Sequence, residues 1–364
     1  MITELTTAAD FGLQISRYQV APLARGSQPL PLLPNTERFA HEWLVRWHHD
    51  YHHWAESDIA CYSVSDALVS GAGQIWLNNQ LITSTEIMPP YVAQGLGITD
   101  GDNAVLHAAR SLPIRVIETP CLVAIGHGIQ VYGHFLIELL FRILIGRHAF
   151  RTTGLQYRIL LDQSAPQWLL RILVDYLSVE TSDIEFFQPE TERIRLRHAI
   201  LPTMPLQNER FHPAVNEMLA ELLDRLDIPA SKQPLRRVFI TRQRFSNPAA
   251  PKRLCVNEDA LIDLAAARYG FTSVAIEDLI WPQQIALFRD AELVLGLAGS
   301  GLHNALFSKP GSRLASIGVM NLVQSQIGAL RGQHNAFLSQ DIELLGDFRI
   351  DEEIYHSFLE HVCA

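Results

Sequence analysis

Three ionisable side chains recur every four residues in an otherwise apolar stretch of the sequence. His134, Glu138 and Arg142 lie within GHFLIELLFRILIG, so on a helix they share one face. Polar groups on so hydrophobic a helix are costly to bury unless they pair with one another or face a cleft. A carboxylate and an imidazole one turn apart could take a proton from a substrate hydroxyl. The alternative is a structural Glu138–Arg142 pair with His134 as a cap.

A second candidate site is the glycine-rich turn GLAGSG at residues 296–301, which follows an apolar segment and precedes a short predicted helix. Glycines after a parallel strand let a ligand approach the backbone, and the free N–H groups of the next helix attract anions. No Asp or Glu occurs from residue 293 to residue 340. Side chains that add positive charge or hydrogen-bond donors nearby are Arg242, Arg244, Lys252, Arg253, His303 and Asn304. The turn therefore predicts a phosphate site, with tight strand–helix packing as the alternative.

Strands and helices alternate around this turn. Strands are predicted at residues 237–241, 271–276 and 293–297. The first helix between them begins after Asn257, a plausible N-cap, and ends before Gly270, which suits the position after a helix. This alternation predicts a parallel sheet covered by helices.

The preceding part of the chain shows a similar alternation. Strands are predicted at residues 121–125, 157–161 and 199–201, with helices near 167–177 and 213–226. Residues 1–36 are rich in Pro and Gly and predicted to be irregular. A hairpin is predicted from residues 74–77 and 81–85 around Asn78 and Asn79.

We therefore predict an α/β fold with two Rossmann-like, doubly wound domains and an N-terminal β-hairpin decoration. The predicted domains are residues 1–230, which carry the His134 stretch, and residues 231–320, which carry the glycine-rich turn. Residues 321–364 form a tail that we expect to return to the first domain.

Composition excludes several classes of protein. The chain has 364 residues, a net charge of −10 and 48% hydrophobic residues, which fits a folded protein and argues against nucleic-acid binding. Four scattered cysteines suggest a reducing compartment. No signal peptide or membrane-spanning segment is predicted, so we expect a cytoplasmic location.

Two stretches could bind a metal, and a plainer interpretation is favoured for each. His48 and His52 are four residues apart in HEWLVRWHHDYHHW, which is more typical of an amphipathic surface helix or an acceptor contact. Asp100 and Asp102 have the D-x-D form within TDGDN, which is typical of a surface turn. No metal or other cofactor is predicted.

The sequence resembles glycosyltransferase family 61 in both halves. Near the start of the apolar helix the family pattern is fitted by Tyr132, His134, Phe135, Glu138 and Arg142. Later matches are Thr241, Arg242, Arg253, Asn257, Glu258, Gly270, Phe271, Glu277, Leu279, Gln283, Gln284, Leu287, Phe288, Ala291, Gly296, Gly299, Ser300, Gly301, Leu302, Asn304, Phe307, Pro310 and Gly311. Two departures are Ala298, where the family usually has His, and Trp281, where it usually has Ser or Thr.

The resemblance implies a GT-B architecture, in which two domains face a cleft, and an inverting glycosyltransferase without a metal. The donor would be a nucleotide-sugar, most often a UDP-sugar, and the acceptor a glycan or lipid-linked glycan, as in capsular polysaccharide synthesis. The base would be Glu138 or His134, with Arg142 in support. The expected donor-binding residues are Arg242, Arg253, Asn257, Glu258, Gln284, Gly299, Ser300, Gly301, His303 and Asn304. Contact with the inner face of the membrane and the oligomeric state are left open.

Two other functions compete with this interpretation. Ala298 in place of the usual His suggests an inactive glycan- or nucleotide-binding protein on the same scaffold. The GLAGSG turn also resembles that of NAD(P)-dependent oxidoreductases, but their pattern requires an acidic residue about 20 positions later. The acid-free run to residue 340 argues against this second alternative.

Overall fold

The structure is a computed structural model of the chain. It describes residues 2–3, 15–24, 32–40, 42, 57–71, 73–78, 80–82, 87, 111–126, 128–151, 153–207, 210–244, 254–318, 322–339 and 346–364. The chain divides into two compact units, Met1–Arg25 with Ala55–Leu219 and Gly26–Trp54 with Ala220–Ala364. None of the helices that the structure describes is long and apolar enough to cross a bilayer.

The first unit is built on a mixed sheet. Its strands in the described residues are β1 (Ile2–Thr3), β2 (Ile15–Ala24), β3 (Ser57–Ser70), β4 (Gln74–Leu77), β5 (Gln80–Ile82), β6 (Ile114–Ile117), β7 (Cys121–Val123), β8 (Arg158–Asp162), β9 (Ile184–Phe187) and β10 (Arg193–Pro202). Their order is β1-β5-β4-β3-β10-β7-β8-β9, with β2 also on β3 and β6 on β10. A separate short hairpin joins β11 (Leu206–Gln207) and β12 (Arg210–Phe211).

This sheet combines parallel and antiparallel pairings. Strands β10, β7, β8 and β9 run parallel, as the alternating pattern predicts. Strand β3 runs antiparallel to β10, β2 and β4, so the sheet is not the uniformly parallel one predicted for a doubly wound domain. The predicted hairpin is confirmed, since β4 and β5 pair antiparallel around Asn78, whose φ is 47°. The predicted irregular stretch, residues 1–36, contains β2.

Helices follow the parallel strands of this unit. Helix α1 comprises Tyr132–His134, a π-helical turn at Phe135–Leu139 and Leu140–Phe150. Helix α2 comprises Gln167–Arg171 and a second π-turn, Ile172–Tyr176. Helix α3, Ala214–Leu226, comes after the short hairpin. Because α1 follows β7 and α2 follows β8, both helices begin at the carboxyl edge of the parallel strands.

The second unit contains a parallel sheet. Its strands in the described residues are β13 (Arg237–Thr241), β14 (Thr272–Ala275), β15 (Leu293–Leu297), β16 (Arg313–Ile317) and β17 (His334–Leu338). They are connected by α4 (Glu258–Tyr269), α5 (Trp281–Asp290), a 3-10 helix (Ser300–Phe307) and α6 (Leu322–Arg331), and α7 (Glu352–Cys363) follows β17. The order β14-β13-β15-β16-β17 is 2-1-3-4-5 along the sequence, one of the two common doubly wound orders.

Two glycines fit the local geometry of this sheet. Gly270 ends α4 in the left-handed region, with φ 70°, as its position after the predicted helix indicates. A Cβ on Gly296 would lie 2.8 Å from the carbonyl oxygen of Ile240 on the neighbouring strand. Glycine at position 296 of β15 therefore lets β13 and the 3-10 helix pack closely against this strand.

One prediction for the second unit is wrong and another stays a prediction. The tail contributes β17 to the second sheet, and Tyr355 of α7 donates a hydrogen bond to the Leu261 carbonyl of α4 at 3.2 Å, while its return to the predicted first domain stays a prediction. Asn257 stands at the N-cap position of α4, but its side chain makes no capping hydrogen bond. Its amide instead pairs with the backbone N–H and carbonyl of Ile350, at 3.1 and 2.9 Å. The domain boundaries at 230 and 320 and the GT-B arrangement stay predictions.

Candidate functional site

An imidazole and a carboxylate are paired at the start of α1. His134 Nδ1 lies 2.7 Å from Glu138 Oε1, so the four-residue spacing in the sequence becomes a direct contact. The His134 side chain is 32% exposed, whereas that of Glu138 is 8% exposed. Glu138 belongs to the π-turn, a departure from regular helix that is frequent at functional sites.

The pair lines an open-sided pocket at the carboxyl end of β7. Arg142 also lines it, and its Nη1 donates to the Ile125 carbonyl at 3.0 Å. The rest of the lining is Ala124, Ile125, Gly126, Ile129, Phe135 and Leu139. A mostly apolar pocket with a few converging polar groups is typical of a small-molecule site.

The hydrogen bond that His134 makes to Glu138 determines the chemistry of the imidazole. It raises the pKa of the imidazole above its ordinary value of 6.5, and this effect outweighs the opposing effect of burial. In the neutral ring, an Nδ1–H that donates to Glu138 places the acceptor lone pair on Nε2. A carboxylate that orients an imidazole and stabilises its protonated form is the arrangement of a general base with its partner.

Gly128 leaves space for the His134 ring, and it is not among the residues predicted for the site. Its φ is 78°, and a Cβ there would lie 2.6 Å from His134 Cδ2. Its position in a loop just before a helix was the only signal available in the sequence.

The second candidate site lies where β13 and β15 end. In a sheet of order 2-1-3-4-5, the chain turns in opposite directions after these two strands, and ligands bind in the crevice between them. Arg242 follows β13, and its Nη1 donates to the Ala298 carbonyl at 3.0 Å. A Cβ on Gly299 would lie 3.5 Å from the same nitrogen, so the guanidinium lies against the glycine turn.

Glu258 holds the strand end that carries Arg242. Its Oε1 accepts a hydrogen bond from the Thr241 hydroxyl at 2.7 Å and another from the Arg242 backbone N–H at 2.9 Å. The carboxylate is buried, so it positions Arg242 while leaving the turn free of exposed negative charge.

The other expected donor-binding residues occupy different places. His303 is buried in the 3-10 helix, and Asn304, also buried, donates from Nδ2 to the Gly301 carbonyl at 3.0 Å. The Gln284 amide donates to the Leu279 carbonyl at 2.9 Å, beyond β14. The Asn257 amide forms its two hydrogen bonds with the Ile350 backbone. Arg253 lies outside the described residues.

Among the residues that the structure describes, no three His, Cys, Asp or Glu side chains form a group that could hold a metal ion. Asp100, Asp102, His48 and His52 lie outside those residues, so the absence of a metal stays a prediction.

Comparison with known proteins provides the family. The family model described as Glycosyltransferase 61 matches residues 132–315, just over half of the 364 residues and both candidate sites. The chain belongs to glycosyltransferase family 61. Membership of this family indicates glycosyltransferase activity and confirms the resemblance found in the sequence. A search among curated proteins found no match.

Proposed function

We propose that this member of family 61 is an inverting transferase that moves a sugar from a nucleotide-sugar to a hydroxyl of a glycan or lipid-linked glycan. We expect a UDP-sugar as the donor and a surface polysaccharide, such as a capsule, as the product. The main support for the proposal is the position of Arg242 and the glycine turn. Both lie at the carboxyl ends of β13 and β15, where the chain of the second sheet turns in opposite directions.

The donor diphosphate is proposed to bind at residues 299–301. Gly299 is partly exposed, so a phosphate can approach the backbone at the beginning of the 3-10 helix, and Arg242 would add a charge-assisted hydrogen bond. The leaving diphosphate gains negative charge during transfer. Donors aimed at it, in a stretch without Asp or Glu from residue 293 to residue 340, would stabilise its departure without a metal.

His134 is proposed as the base, with Glu138 as its partner. Nε2 would accept the hydroxyl proton as the acceptor oxygen forms its bond to the sugar C1 and the bond from C1 to the diphosphate breaks. A single displacement of this kind inverts the configuration at C1. The greater exposure of the imidazole supports His134 over Glu138, which stays the alternative base.

A cytoplasmic location is part of the proposal, with the acceptor met there or at the inner face of the membrane. All four cysteines, each within the described residues, are free thiols, which suits a reducing compartment. No cofactor is required, because the nucleotide-sugar is itself a substrate.

The experiment that tests the proposal is turnover of a panel of nucleotide-sugars with glycan acceptors, followed by release of the nucleoside diphosphate. NMR of the product should show an anomeric configuration opposite to that of the donor. Retained configuration would contradict the single displacement. Binding of nucleotides without consumption of any donor would support the inactive binding protein suggested by Ala298.

A further inference from the structure

Three aromatic rings contact one another at the start of α1 and α2. The Trp168 ring centroid lies 5.4 Å from that of Tyr132 and 5.6 Å from that of Phe135, with interplanar angles of 78° and 74°. These are edge-to-face contacts, which favour a fixed ring orientation. Phe135 is fully buried, whereas Tyr132 and Trp168 are partly exposed.

The sheet places these rings at one edge. Strands β7 and β8 are parallel neighbours, with Leu122 paired to Ile159. Tyr132 is the first residue of the helix after β7, and Trp168 is the second residue of the helix after β8. The aromatic group therefore lies at the carboxyl edge of the sheet, where α/β proteins bind their ligands.

The rings are also continuous with the pocket. Phe135 contacts Trp168 and lines the same pocket as His134 and Glu138. A ligand that presents a hydroxyl to His134 would thus have aromatic surface next to it. The loops that precede the two helices are joined by a hydrogen bond from Gln130 Nε2 to the Ser164 carbonyl at 3.3 Å.

A sugar ring has the chemistry that matches this surface. One face of a pyranose presents mainly C–H groups, which pack on a flat aromatic ring, while the hydroxyls at its rim remain available for hydrogen bonds and reaction. A partly exposed indole in contact with Phe135, which lines the pocket of the base, would hold such a ring and direct one hydroxyl toward the base.

We propose that Trp168, held by Tyr132 and Phe135, is the platform on which one sugar ring of the acceptor packs its C–H face. The proposal rests on the proposed function, because it gives the His134 pocket its substrate. It defines the acceptor as a carbohydrate at the reacting position, rather than a lipid or a protein side chain.

Saturation-transfer NMR tests the platform without a donor. The probes are the methyl α- and β-glycosides of common hexoses and pentoses at millimolar concentration, with UDP as a separate ligand. We expect the parent protein to saturate the C–H protons of at least one glycoside. Trp168→Ala should weaken binding of that glycoside about tenfold, since aromatic anchor residues contribute most of the binding energy of a small site. Trp168→Phe should retain most of the binding, and UDP should bind all variants equally.

Val174→Ala provides the matched control, since Val174 is an exposed apolar residue of the same helix. It should leave both ligands unchanged. The platform would be overturned if the parent protein bound none of the glycosides. It would also be overturned if Trp168→Ala bound the glycoside as tightly as the parent does. Parallel loss of UDP and glycoside in both Trp168 variants would show that the rings serve only packing, and would also overturn it. Failure of the parent to bind UDP or consume any donor counts instead against the proposed function.

Discussion

Replacing Glu138 by Gln tests the proposed base directly. The change keeps the size of the side chain and an oxygen that can accept from His134 Nδ1, but it removes the negative charge. A hydrogen bond between charged groups contributes about 1.5–3 kcal/mol and a neutral one about 0.5–1.5 kcal/mol. Glu138→Gln should therefore reduce stabilisation of the protonated imidazole by about 1–2 kcal/mol.

This difference predicts two observable changes. Because the pKa of His134 is raised above 6.5 by Glu138, activity of the parent should fall as the pH drops through that raised value and His134 becomes protonated. At about 1.36 kcal/mol per pKa unit, the acidic limb of kcat in Glu138→Gln should move to lower pH by about one unit. On the plateau, kcat should fall by about 5- to 30-fold, because the imidazolium formed during transfer is less stable.

The assay is release of nucleoside diphosphate from pH 5 to pH 9, with UDP affinity and melting temperature as checks of folding. His134→Gln is the comparison, and loss of the base itself should lower kcat by about 10²–10⁴-fold. A larger loss in Glu138→Gln than in His134→Gln would make Glu138 the base. An unchanged pH profile together with near-parental kcat in both variants would refute a catalytic role for the pair.

Four further predictions follow from the second unit and from the donor site. Arg242→Ala should weaken UDP binding by about 1.5–3 kcal/mol, as measured by calorimetry. Arg236→Ala, whose exposed side chain directly precedes β13, should leave UDP binding unchanged. Equal affinities of the parent and Arg242→Ala would remove Arg242 from the site. Gly296→Ala should lower the free energy of unfolding by about 1–3 kcal/mol in urea, while Gly299→Ala, whose Cβ meets only ordinary contacts, should be close to the parent. Asn257→Ala should destabilise by about 1–3 kcal/mol, because it leaves buried backbone groups unpaired, and an unchanged urea midpoint would contradict that role. Activity should survive EDTA, and loss restored by Mn²⁺ or Mg²⁺ would point to a metal instead.

The second sheet could largely be predicted from sequence because its signals are local. Strands β13 and β15 are short apolar runs, and Gly270 marks the end of a helix by its own conformational freedom. Asn257 shows where local reasoning fails. Its type and position are those of an N-cap, but hydrogen bonds to Ile350, 93 residues later, determine its orientation.

The first sheet was harder to predict because its main strand contains a turn-like residue. Asp66 lies in the middle of β3 with a φ of 58°, and Asp is a residue typical of turns. The sequence of this 14-residue strand therefore predicts several short strands. The contact between His134 and Glu138 follows from helical spacing and could be predicted. The approach of Trp168 could not, since it depends on β8 lying beside β7.

Segments distant in sequence complete the core of the second unit. Phe39 packs edge-to-face on Phe358 of α7 with ring centroids 5.4 Å apart, and the Val362 carbonyl accepts a hydrogen bond from Arg313 at 2.9 Å. Tyr355 and Phe358 are fully buried. During synthesis, residues 32–40 therefore emerge long before the helix that covers them, and this unit cannot close until α7 has left the ribosome. The apolar surface that α7 covers stays exposed throughout that interval, which favours contact with chaperones or with other chains.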